Sequence, residues 1–256
     1  MRIVIFTVDD VDFVPKILDP LLDRYKDSII HIYVSDSFPG PLAIIKNNLF
    51  FFIKNYYPFC IRISDLFNFA LGIIKNKFGK EHANIYKYLE HKGATATKIE
   101  SIRTNLFLKE LKDLNPDVCV FAPFDKIACP NFLTIPKYGS LNVHLGKLPS
   151  YRGGLSAFWI LRYGDKEAGA SVHKVDTGID TGELLEEVRL PVNTNSMKIL
   201  MDETIEKTAP AIIKAVEKLT SDNCNAIDIS ERESNYYYMP TAKDFSEFYK
   251  RGCRLI

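Results

Sequence analysis

Residues 139–154 read GSLNVHLGKLPSYRGG and join a strand-like apolar run to a polar loop that is rich in glycine. Alternate residues of a strand point the same way, so Asn142 and His144 emerge together near its carboxyl end. An apolar core gains nothing from either polar side chain unless each finds a partner. Ligands of open α/β sheets bind at the carboxyl ends of strands. The stretch therefore predicts a strand that ends at a site.

Short apolar runs and amphipathic segments alternate on both sides of this strand. The runs have the composition of buried strands, and the segments between them carry apolar residues at helical spacing. The predicted strands are RIVIFT (2–7), SIIHIYVS (28–35), DVCVFAP (117–123), GSLNVH (139–144), AGASVHKVD (168–176) and GELLEEVRL (182–190), and the predicted helices span 11–25, 99–116, 155–164 and 195–219. This order predicts an α/β fold with a Rossmann-like, mostly parallel sheet and helices on both faces.

The overall composition is that of a globular protein. The chain has 256 residues, of which 46% are hydrophobic and 25% are charged, and the net charge is +1. A near-neutral charge argues against a dedicated nucleic-acid binder, which usually shows a basic excess. The first residues are followed too soon by Asp9 and Asp10 to be a signal peptide, and no run of about 18 apolar residues predicts a membrane span. We therefore expect a cytoplasmic enzyme or binding protein.

The cysteines indicate neither a zinc site nor a disulfide framework. Their number is odd, their spacing is wide and no CxxC pair occurs. They are Cys60, Cys119, Cys129, Cys224 and Cys253. No metal is predicted.

Two regions depart from the alternating pattern. Residues 37–80 are rich in Phe, Tyr and Ile, with lysines between them, and predict an inserted helical subdomain with its own small core. The alternatives are a homodimer surface, a cap over the substrate or, less favoured, a patch that rests on a membrane. The tail contains three consecutive tyrosines, 236–238. We predict a catalytic domain over 1–190 and a C-terminal helix and tyrosine-rich tail, 191–256, packed on it.

A second motif, VDTGIDTGELL, follows the next predicted strand. Its glycines at 178 and 182 predict a tight loop that carries Asp180 or Asp176 back toward the strand ends. Taken singly, a histidine, an asparagine or an aspartate of this kind is usually a core, cap or turn residue. The combination of an amide, an imidazole and a carboxylate makes a catalytic site the better interpretation.

LNVHLGKLPSYRGG and ASVHKVDTGIDTGELL together resemble the formyltransferases that use 10-formyltetrahydrofolate. That family includes glycinamide ribonucleotide formyltransferase, methionyl-tRNA formyltransferase and the N-formyltransferases of nucleotide-linked amino sugars. The resemblance is best over 105–190 and implies the formyltransferase fold. It places the catalytic trio of the family on Asn142, His144 and Asp180.

The resemblance also implies where substrates bind. The pterin ring of the folate is expected at one set of residues and the acceptor at another. The cofactor-binding set is Phe124, Lys126, Ile127, Ala128, Val175 and Asp176, and the substrate-binding set is Tyr151, Arg152 and Gly153. Tyr151 and the tyrosines 236–238 are candidates for stacking on a nucleobase or sugar.

The trio suits formyl transfer to an amine. The amine attacks the formyl carbon, and the carbonyl oxygen becomes an oxyanion in a tetrahedral intermediate. A side-chain amide and an imidazolium are suitable donors for that charge. An aspartate near His144 is expected to favour the charged imidazole and to help remove the proton that the amine loses.

Of three departures from the family pattern, the second and third argue against the methionyl-tRNA and purine acceptors. Many members have Ser where this chain has Gly146. Methionyl-tRNA formyltransferases add a C-terminal β-barrel that contacts tRNA, whereas the 66 residues after 190 read as a helix and a tail. The purine enzyme has a glycine-rich phosphate loop after its first strand, where this chain has the acidic TVDDVD.

These departures favour one acceptor class. We predict transfer of a formyl group from 10-formyltetrahydrofolate to the amine of a nucleotide-linked amino sugar, with no nucleic-acid partner. The alternative within the same chemistry is a methionyl-tRNA or amino-acid formyltransferase. A formyltetrahydrofolate hydrolase is less favoured, because those proteins resemble this family but carry a further N-terminal domain. The alternative of another class is a non-catalytic folate or nucleotide-sugar binding protein.

Overall fold

A computed structural model describes residues 1–35, 84–222 and 224–256. The strands are β1 (Ile3–Val8), β2 (Ile29–Ser35), β3 (Ala96–Ile99), β4 (Val118–Phe121), β5 (Gly139–His144), β6 (Arg152–Gly153), β7 (Glu167–Lys174), β8 (Leu184–Pro191) and β9 (Tyr236–Tyr237). The helices are α1 (Val14–Tyr25), α2 (Ile85–His91), α3 (Asn105–Leu114), α4 (Pro130–Leu133), α5 (Ser156–Tyr163), α6 (Met197–Leu219) and α7 (Ala242–Lys250).

Seven of these strands form the central sheet, in the order β3-β2-β1-β4-β5-β7-β8. The first five in this order run parallel, whereas β7 is antiparallel to both β5 and β8. All six residues of β1 are buried, as expected of a strand covered on both faces. The predicted α/β fold with a mostly parallel sheet is confirmed.

Alternate residues of β1 pack into different cores. Ile3 and Ile5 contact the layer formed by α1 and α6, whereas Val4 and Phe6 contact the layer that contains α3. Burial of each such apolar side chain contributes roughly 1.5–3 kcal/mol to stability. The sheet is therefore held rigid from both faces, and its strand ends form a fixed platform.

The long helices begin and end close to the predicted positions. Thr104 caps α3 by accepting a hydrogen bond from a main-chain N–H, and Asn115 ends the helix in the left-handed conformation. Ser196 caps α6 in the same way as Thr104. The prediction of a helix from residue 99 is wrong at its start, because Ile99 belongs to β3 and the cap lies at Thr104.

The C-terminal tail forms more regular structure than the sequence predicted. β9 pairs with β6 in a two-stranded parallel ribbon, and α7 begins at a capping box formed by Thr241 and Asp244. Phe248 of α7 stacks on Phe158 of α5, with ring centroids 4.7 Å apart. This contact lies in a second core, separate from the two that cover the sheet.

The domain boundary near residue 190, between the catalytic domain and the C-terminal extension, stays a prediction. Several buried residues of α6, among them Ile212 and Val216, pack in the same core as Ile5 of β1. The first part of the predicted extension is thus continuous with the sheet layer, and α7 packs mainly on α5.

The predicted insertion at 37–80 lies outside the described residues, as do the homodimer and lipid surfaces suggested for it. Among the residues that are described, no helix is both long enough and apolar enough to cross a membrane.

Candidate active site

Asn142 and His144 lie on β5, the last of the parallel strands, and both line the cavity described below. Antiparallel pairing with β7 sets Asn142 opposite His173 and His144 opposite Ser171. His144 is only 8% exposed. The strand end therefore presents an amide and an imidazole side by side, as the alternation of side chains predicted.

Asp180 reaches this pair from the loop between β7 and β8. Its Oδ1 accepts a hydrogen bond from Nδ2 of Asn142 at 3.2 Å, and its Oδ2 accepts one from the N–H of Gly153 at 2.9 Å. Asp180 has a φ of 53°, which is unfavourable for a side chain with a Cβ, and these contacts hold it there. The structure thus brings the three predicted catalytic residues together.

The loop can turn back because Gly182 has no side chain. A Cβ at this position would overlap the carbonyl oxygen of Lys174. The carboxylate of Asp176 closes the turn by accepting hydrogen bonds from the N–H of Gly178 at 2.9 Å and from the hydroxyl of Thr181 at 2.7 Å. Asp176 therefore shapes the loop, and Asp180 is the carboxylate that enters the site.

The imidazole of His144 is held by a contact at each nitrogen. Its Nε2–H donates to the carbonyl oxygen of Tyr151 at 2.5 Å, and its Nδ1 lies 3.5 Å from Oδ2 of Asp180. A carbonyl oxygen only accepts hydrogen bonds, so the hydrogen of a neutral His144 sits on Nε2. Nδ1, facing Asp180, is then the atom that gains or loses a proton.

Burial lowers the pKa of His144 below its ordinary value of 6.5, and the Asp180 carboxylate opposes this effect only in part. Asp180 therefore favours the charged imidazole, as expected, but burial of the ring is the larger effect and keeps the pKa below its ordinary value. Burial also raises the pKa of Asp180. The hydrogen bond with His173, the charge of His144 and the N–H of Gly153 outweigh it and lower that pKa to about 2.

His173 completes the cluster, and the sequence analysis did not single it out. Its Nδ1–H donates to the carbonyl oxygen of Lys174 at 2.7 Å, and its Nε2 lies 3.1 Å from Nδ2 of Asn142 and 3.5 Å from Oδ1 of Asp180. The sequence could have indicated His173 through the pairing of the two predicted strands at 139–144 and 168–176. In the correct register, His173 lies opposite Asn142.

Gly146 is explained by the crowding beside His144. A Cβ at this position would lie 2.6 Å from Nε2 of His144 and 2.5 Å from Oγ of Ser156. Ser156 is buried at the start of α5 and also lines the cavity. Its hydroxyl thus occupies the space next to the imidazole that a side chain at 146 would need.

All six predicted cofactor-binding residues line one cavity with the catalytic cluster. The cavity has a volume of about 450 Å³. Phe124, Lys126, Ile127 and Ala128 follow β4, and Val175 and Asp176 follow β7. Both segments continue from sheet strands that flank β5, so they line the cavity beside that strand. We call residues 124–128 and 175–178 the donor end, because the folate is predicted to bind there.

The predicted substrate-binding residues separate into two groups. The ring of Tyr151 is 5% exposed, stacks on Tyr237 and donates its hydroxyl hydrogen to Asp165, so it is not available to stack on a substrate. It presents its carbonyl oxygen to His144 instead. Gly153 lines the cavity. Arg152 donates from Nε to the carbonyl oxygen of Ile179 at 3.0 Å, which ties the β6–β9 ribbon to the Asp180 loop.

Tyr236 is the member of the tyrosine run that lines the cavity. It is 38% exposed, and the guanidinium of Arg152 lies 5.9 Å from the centre of its ring. Tyr238 contacts it edge to face and is more exposed. We call Gly153, Gly154 and Tyr236, with the neighbouring Arg152, the acceptor end, because the acceptor is predicted to bind there.

Among residues 1–35, 84–222 and 224–256, no group of three His, Cys, Asp or Glu side chains is arranged to hold a metal ion.

A comparison with protein families matches residues 76–216, more than half of the chain, to the family model described as "Formyl transferase". The chain belongs to the formyl transferase family. The predicted membership of a family whose members use 10-formyltetrahydrofolate is confirmed. The cluster of Asn142, His144 and Asp180 lies on β5 and in the loop after β7, inside the matched region.

Curated relatives of this formyl transferase chain include methionyl-tRNA formyltransferases. That of Caldanaerobacter subterraneus subsp. tengcongensis is 33% identical over 147 residues, which cover 57% of this chain and 48% of the relative. That of Prochlorococcus marinus is 36% identical over 122 residues, covering 47% of this chain and 37% of the relative. The match thus spans half or less of the length of these relatives.

Solved structures with the same fold come from two further kinds of formyltransferase. An N-formyltransferase from Helicobacter canadensis, in complex with folinic acid and dTDP-3-aminofucose, aligns with a TM-score of 0.61 at 14% identity and covers 98% of this chain and 80% of that one. Phosphoribosylglycinamide formyltransferase from Bacillus halodurans aligns with a TM-score of 0.60 at 13% identity, covering 86% and 96%. These similarities support the formyltransferase fold.

Proposed function

We propose that this chain transfers a formyl group from 10-formyltetrahydrofolate to the amine of a nucleotide-linked amino sugar. The observation that carries the transfer chemistry is the cluster of Asn142, His144 and Asp180 within a single cavity. An amide, an imidazole and a carboxylate in mutual contact are the groups that an acyl transfer to an amine requires.

The donor supplies the formyl carbon, and its C–N10 bond breaks as the new C–N bond to the acceptor amine forms. The formyl oxygen gathers negative charge on the way and needs N–H donors. The N–H groups of Asn142 face Asp180 and His173, and the Nε2–H of His144 faces Tyr151. The formyl oxygen must share these hydrogen bonds, so the cluster holds its donors in place before the substrate arrives.

The amine loses a proton in the same reaction, and Nδ1 of His144 is the proposed acceptor. Burial lowers the pKa of His144, so its neutral form, which can take a proton, is favoured at neutral pH. Once protonated, Nδ1–H faces Oδ2 of Asp180 at 3.5 Å, and that carboxylate has a pKa of about 2 and stays charged. The proton can then pass to N10 of the departing folate.

Two groups at the acceptor end support the choice of a nucleotide-linked amino sugar. Tyr236 offers a half-exposed ring at the cavity, and the guanidinium of Arg152 adds a positive charge beside it. An aromatic ring suits a nucleobase or sugar face, and an arginine suits a phosphate. The ligand named for the Helicobacter canadensis structure, dTDP-3-aminofucose, is of this class.

Methionyl-tRNA is the second candidate acceptor, and the curated relatives favour it. Those relatives are methionyl-tRNA formyltransferases at 33% and 36% identity over the aligned region. The region that matches the formyl transferase family, residues 76–216, includes β5 and the Asp180 loop, which would perform the same chemistry on either acceptor. The two proposals therefore differ only in what the acceptor end recognises.

An acceptor panel tests the proposal. Purified chain and 10-formyltetrahydrofolate are mixed with nucleotide-linked amino sugars, with methionyl-tRNA, or with no acceptor, and products are identified by mass spectrometry. We expect an N-formylated nucleotide sugar. Product from methionyl-tRNA alone would overturn the acceptor, formate without an acceptor would indicate a hydrolase, and bound folate without turnover would indicate a binding protein.

A further inference from the structure

Arg152 joins the acceptor end of the cavity to the loop that carries Asp180. Its Nε–H donates to the carbonyl oxygen of Ile179 at 3.0 Å, and its guanidinium lies 5.9 Å from the centre of the Tyr236 ring. Ile179 and Tyr236 both line the cavity, so the guanidinium lies beside it. The next residue, Gly153, donates its N–H to Oδ2 of Asp180 at 2.9 Å. Two consecutive residues of β6 thus hold two consecutive residues of the loop.

The contact with Ile179 acts on the backbone of Asp180. The carbonyl oxygen of Ile179 lies in the rigid peptide plane that joins these two residues, and the φ angle of Asp180 describes how that plane is turned. This φ is 53°, a conformation that a residue with a Cβ keeps only where its surroundings hold it. By fixing the plane, Arg152 helps to keep the Asp180 carboxylate beside Asn142 and His144.

The guanidinium of Arg152 has hydrogen-bonding capacity left over. It carries five N–H donors, and the contact with Ile179 uses only the one on Nε. Within the described part of the chain no carboxylate pairs with Arg152, whereas Arg162, Arg189 and Arg232 each pair with one. The N–H groups of its two Nη atoms are therefore available to an anion, and their planar arrangement suits a phosphate. One side chain can bind a phosphate and hold the loop at the same time.

We infer that Arg152 is a positioning residue that couples the binding of the acceptor's phosphate to the placement of Asp180. This inference rests on the proposed function, which supplies an acceptor that carries a phosphate. A phosphate on the Nη atoms immobilises the guanidinium, and its Nε–H then holds the carbonyl oxygen of Ile179 more firmly. Binding energy from a part of the acceptor that does not react is thereby used to orient the carboxylate. Loss of the phosphate should lower kcat and not only raise KM.

A truncated acceptor tests the coupling in the wild-type chain. Both kcat and KM are measured with the nucleotide-linked amino sugar that gives product in the acceptor panel, and with the same amino sugar without its nucleotide. We expect kcat to be about tenfold lower, or less still, for the truncated acceptor. Addition of the free nucleoside diphosphate should restore part of it. A raised KM at an unchanged kcat, or no activation by the nucleoside diphosphate, would overturn the coupling while the proposed function stands.

Arg152→Lys separates the coupling from a purely structural role. Lysine keeps the positive charge, but its single nitrogen cannot present a planar fork to a phosphate while a separate N–H holds the loop. We expect the kcat ratio of whole to truncated acceptor to fall from about tenfold toward about one. An equal loss of kcat on both acceptors, with the ratio unchanged, would indicate a structural role alone and overturn the inference.

The matched control is Arg103→Lys. It removes a contact of the same kind, from Nε of Arg103 to the carbonyl oxygen of Ile127 at 3.1 Å, away from the Asp180 loop. The kcat ratio of whole to truncated acceptor should stay as in the wild type. An equal fall of the ratio in both variants would overturn the specific role of Arg152. No product from any nucleotide-linked amino sugar would overturn the proposed function and this inference together.

Discussion

The donor end and the acceptor end of the cavity are built from different kinds of sequence. The donor end consists of the segments that directly follow β4 and β7, strands that flank β5 in the sheet. The acceptor end depends on the β6–β9 ribbon, which pairs Arg152 with Tyr236 although they lie far apart in the chain. The rigid sheet fixes the first end, and contacts between distant segments fix the second.

This difference indicates which segments of the sequence determine the chemistry and which determine the acceptor. The proposed catalytic groups lie on β5 and in the loop after β7, inside the region that matches the formyl transferase family. Loops generally vary more among relatives than the strands that they connect, so we expect the acceptor end to vary more than the proposed catalytic groups. Substitutions at the two ends should therefore affect different kinetic constants. The variants below are given from the largest expected effect to the smallest.

His144→Asn should cause the largest loss. It removes the proton acceptor and one N–H donor for the oxyanion, and loss of one such donor typically costs about 10²–10³ in kcat. Thermal unfolding should show that the fold is retained. The matched control is His31→Asn on β2, where the histidine hydrogen-bonds to Thr97, outside the cavity. A variant at 144 with nearly full activity would show that the chemistry does not depend on this strand end.

Asp180→Asn should lower kcat by about 10² and should move the acidic limb of the pH–rate profile to lower pH. The carboxylate raises the pKa of His144 against burial, so its loss lowers that pKa further. In the proposed mechanism neutral His144 accepts the proton, so activity is lost as pH falls through its pKa. Asp176→Asn, which loosens the same loop, should reduce activity without moving the limb. An unmoved limb in Asp180→Asn would transfer the proton role to another group.

Gly146→Ala should reduce kcat by about tenfold with little change in the KM of either substrate. The added Cβ would lie 2.6 Å from Nε2 of His144 and would displace the imidazole. Adding Ser156→Ala should restore part of the activity, since it removes a hydroxyl 2.5 Å from that Cβ. Gly154→Ala is the control for kcat, because its Cβ at the acceptor end would meet only the sulfur of Met239, at 4.0 Å. Equal effects at 146 and 154 would argue against the proposed crowding.

Tyr236→Ala should give the smallest effect and should act on the acceptor alone. Loss of one stacked ring is expected to raise the KM for the acceptor several-fold, with the KM for 10-formyltetrahydrofolate unchanged. Tyr138→Ala removes a tyrosine of similar exposure outside the cavity and should change neither constant. A rise in the KM for the folate would show that the two ends are not separate.

The parts of the fold that follow from local pattern could be predicted from the sequence. β5 and α6 lie where the spacing of their apolar residues predicts a strand and a helix. The parallel arrangement of the strands follows from the alternation of strands and helices along the chain. Asn142, His144 and Asp180 lie in two short motifs on neighbouring strands. Their convergence follows from side-chain alternation and one tight loop.

The remaining features depend on contacts that no local pattern specifies. Only the register of β7 against β5 places His173 beside Asn142. A shift of one residue would turn its side chain to the other face of the sheet. The Tyr151 ring packs against Tyr237 because β6 and β9 pair across a long separation. The direction of the His144 pKa shift depends on burial, which a sequence motif does not measure.

Transfer of a carbon-13-labelled formyl group tests the central claim most directly. The wild-type chain and the variants Asn142→Ala, His144→Asn and Asp180→Asn are each mixed with labelled 10-formyltetrahydrofolate and an amine acceptor in a single turnover. We predict that the label moves to the amine nitrogen in the wild type and that all three variants are slowed by about 10² or more. Transfer at the wild-type rate in these variants, or label recovered only as formate, would contradict the account.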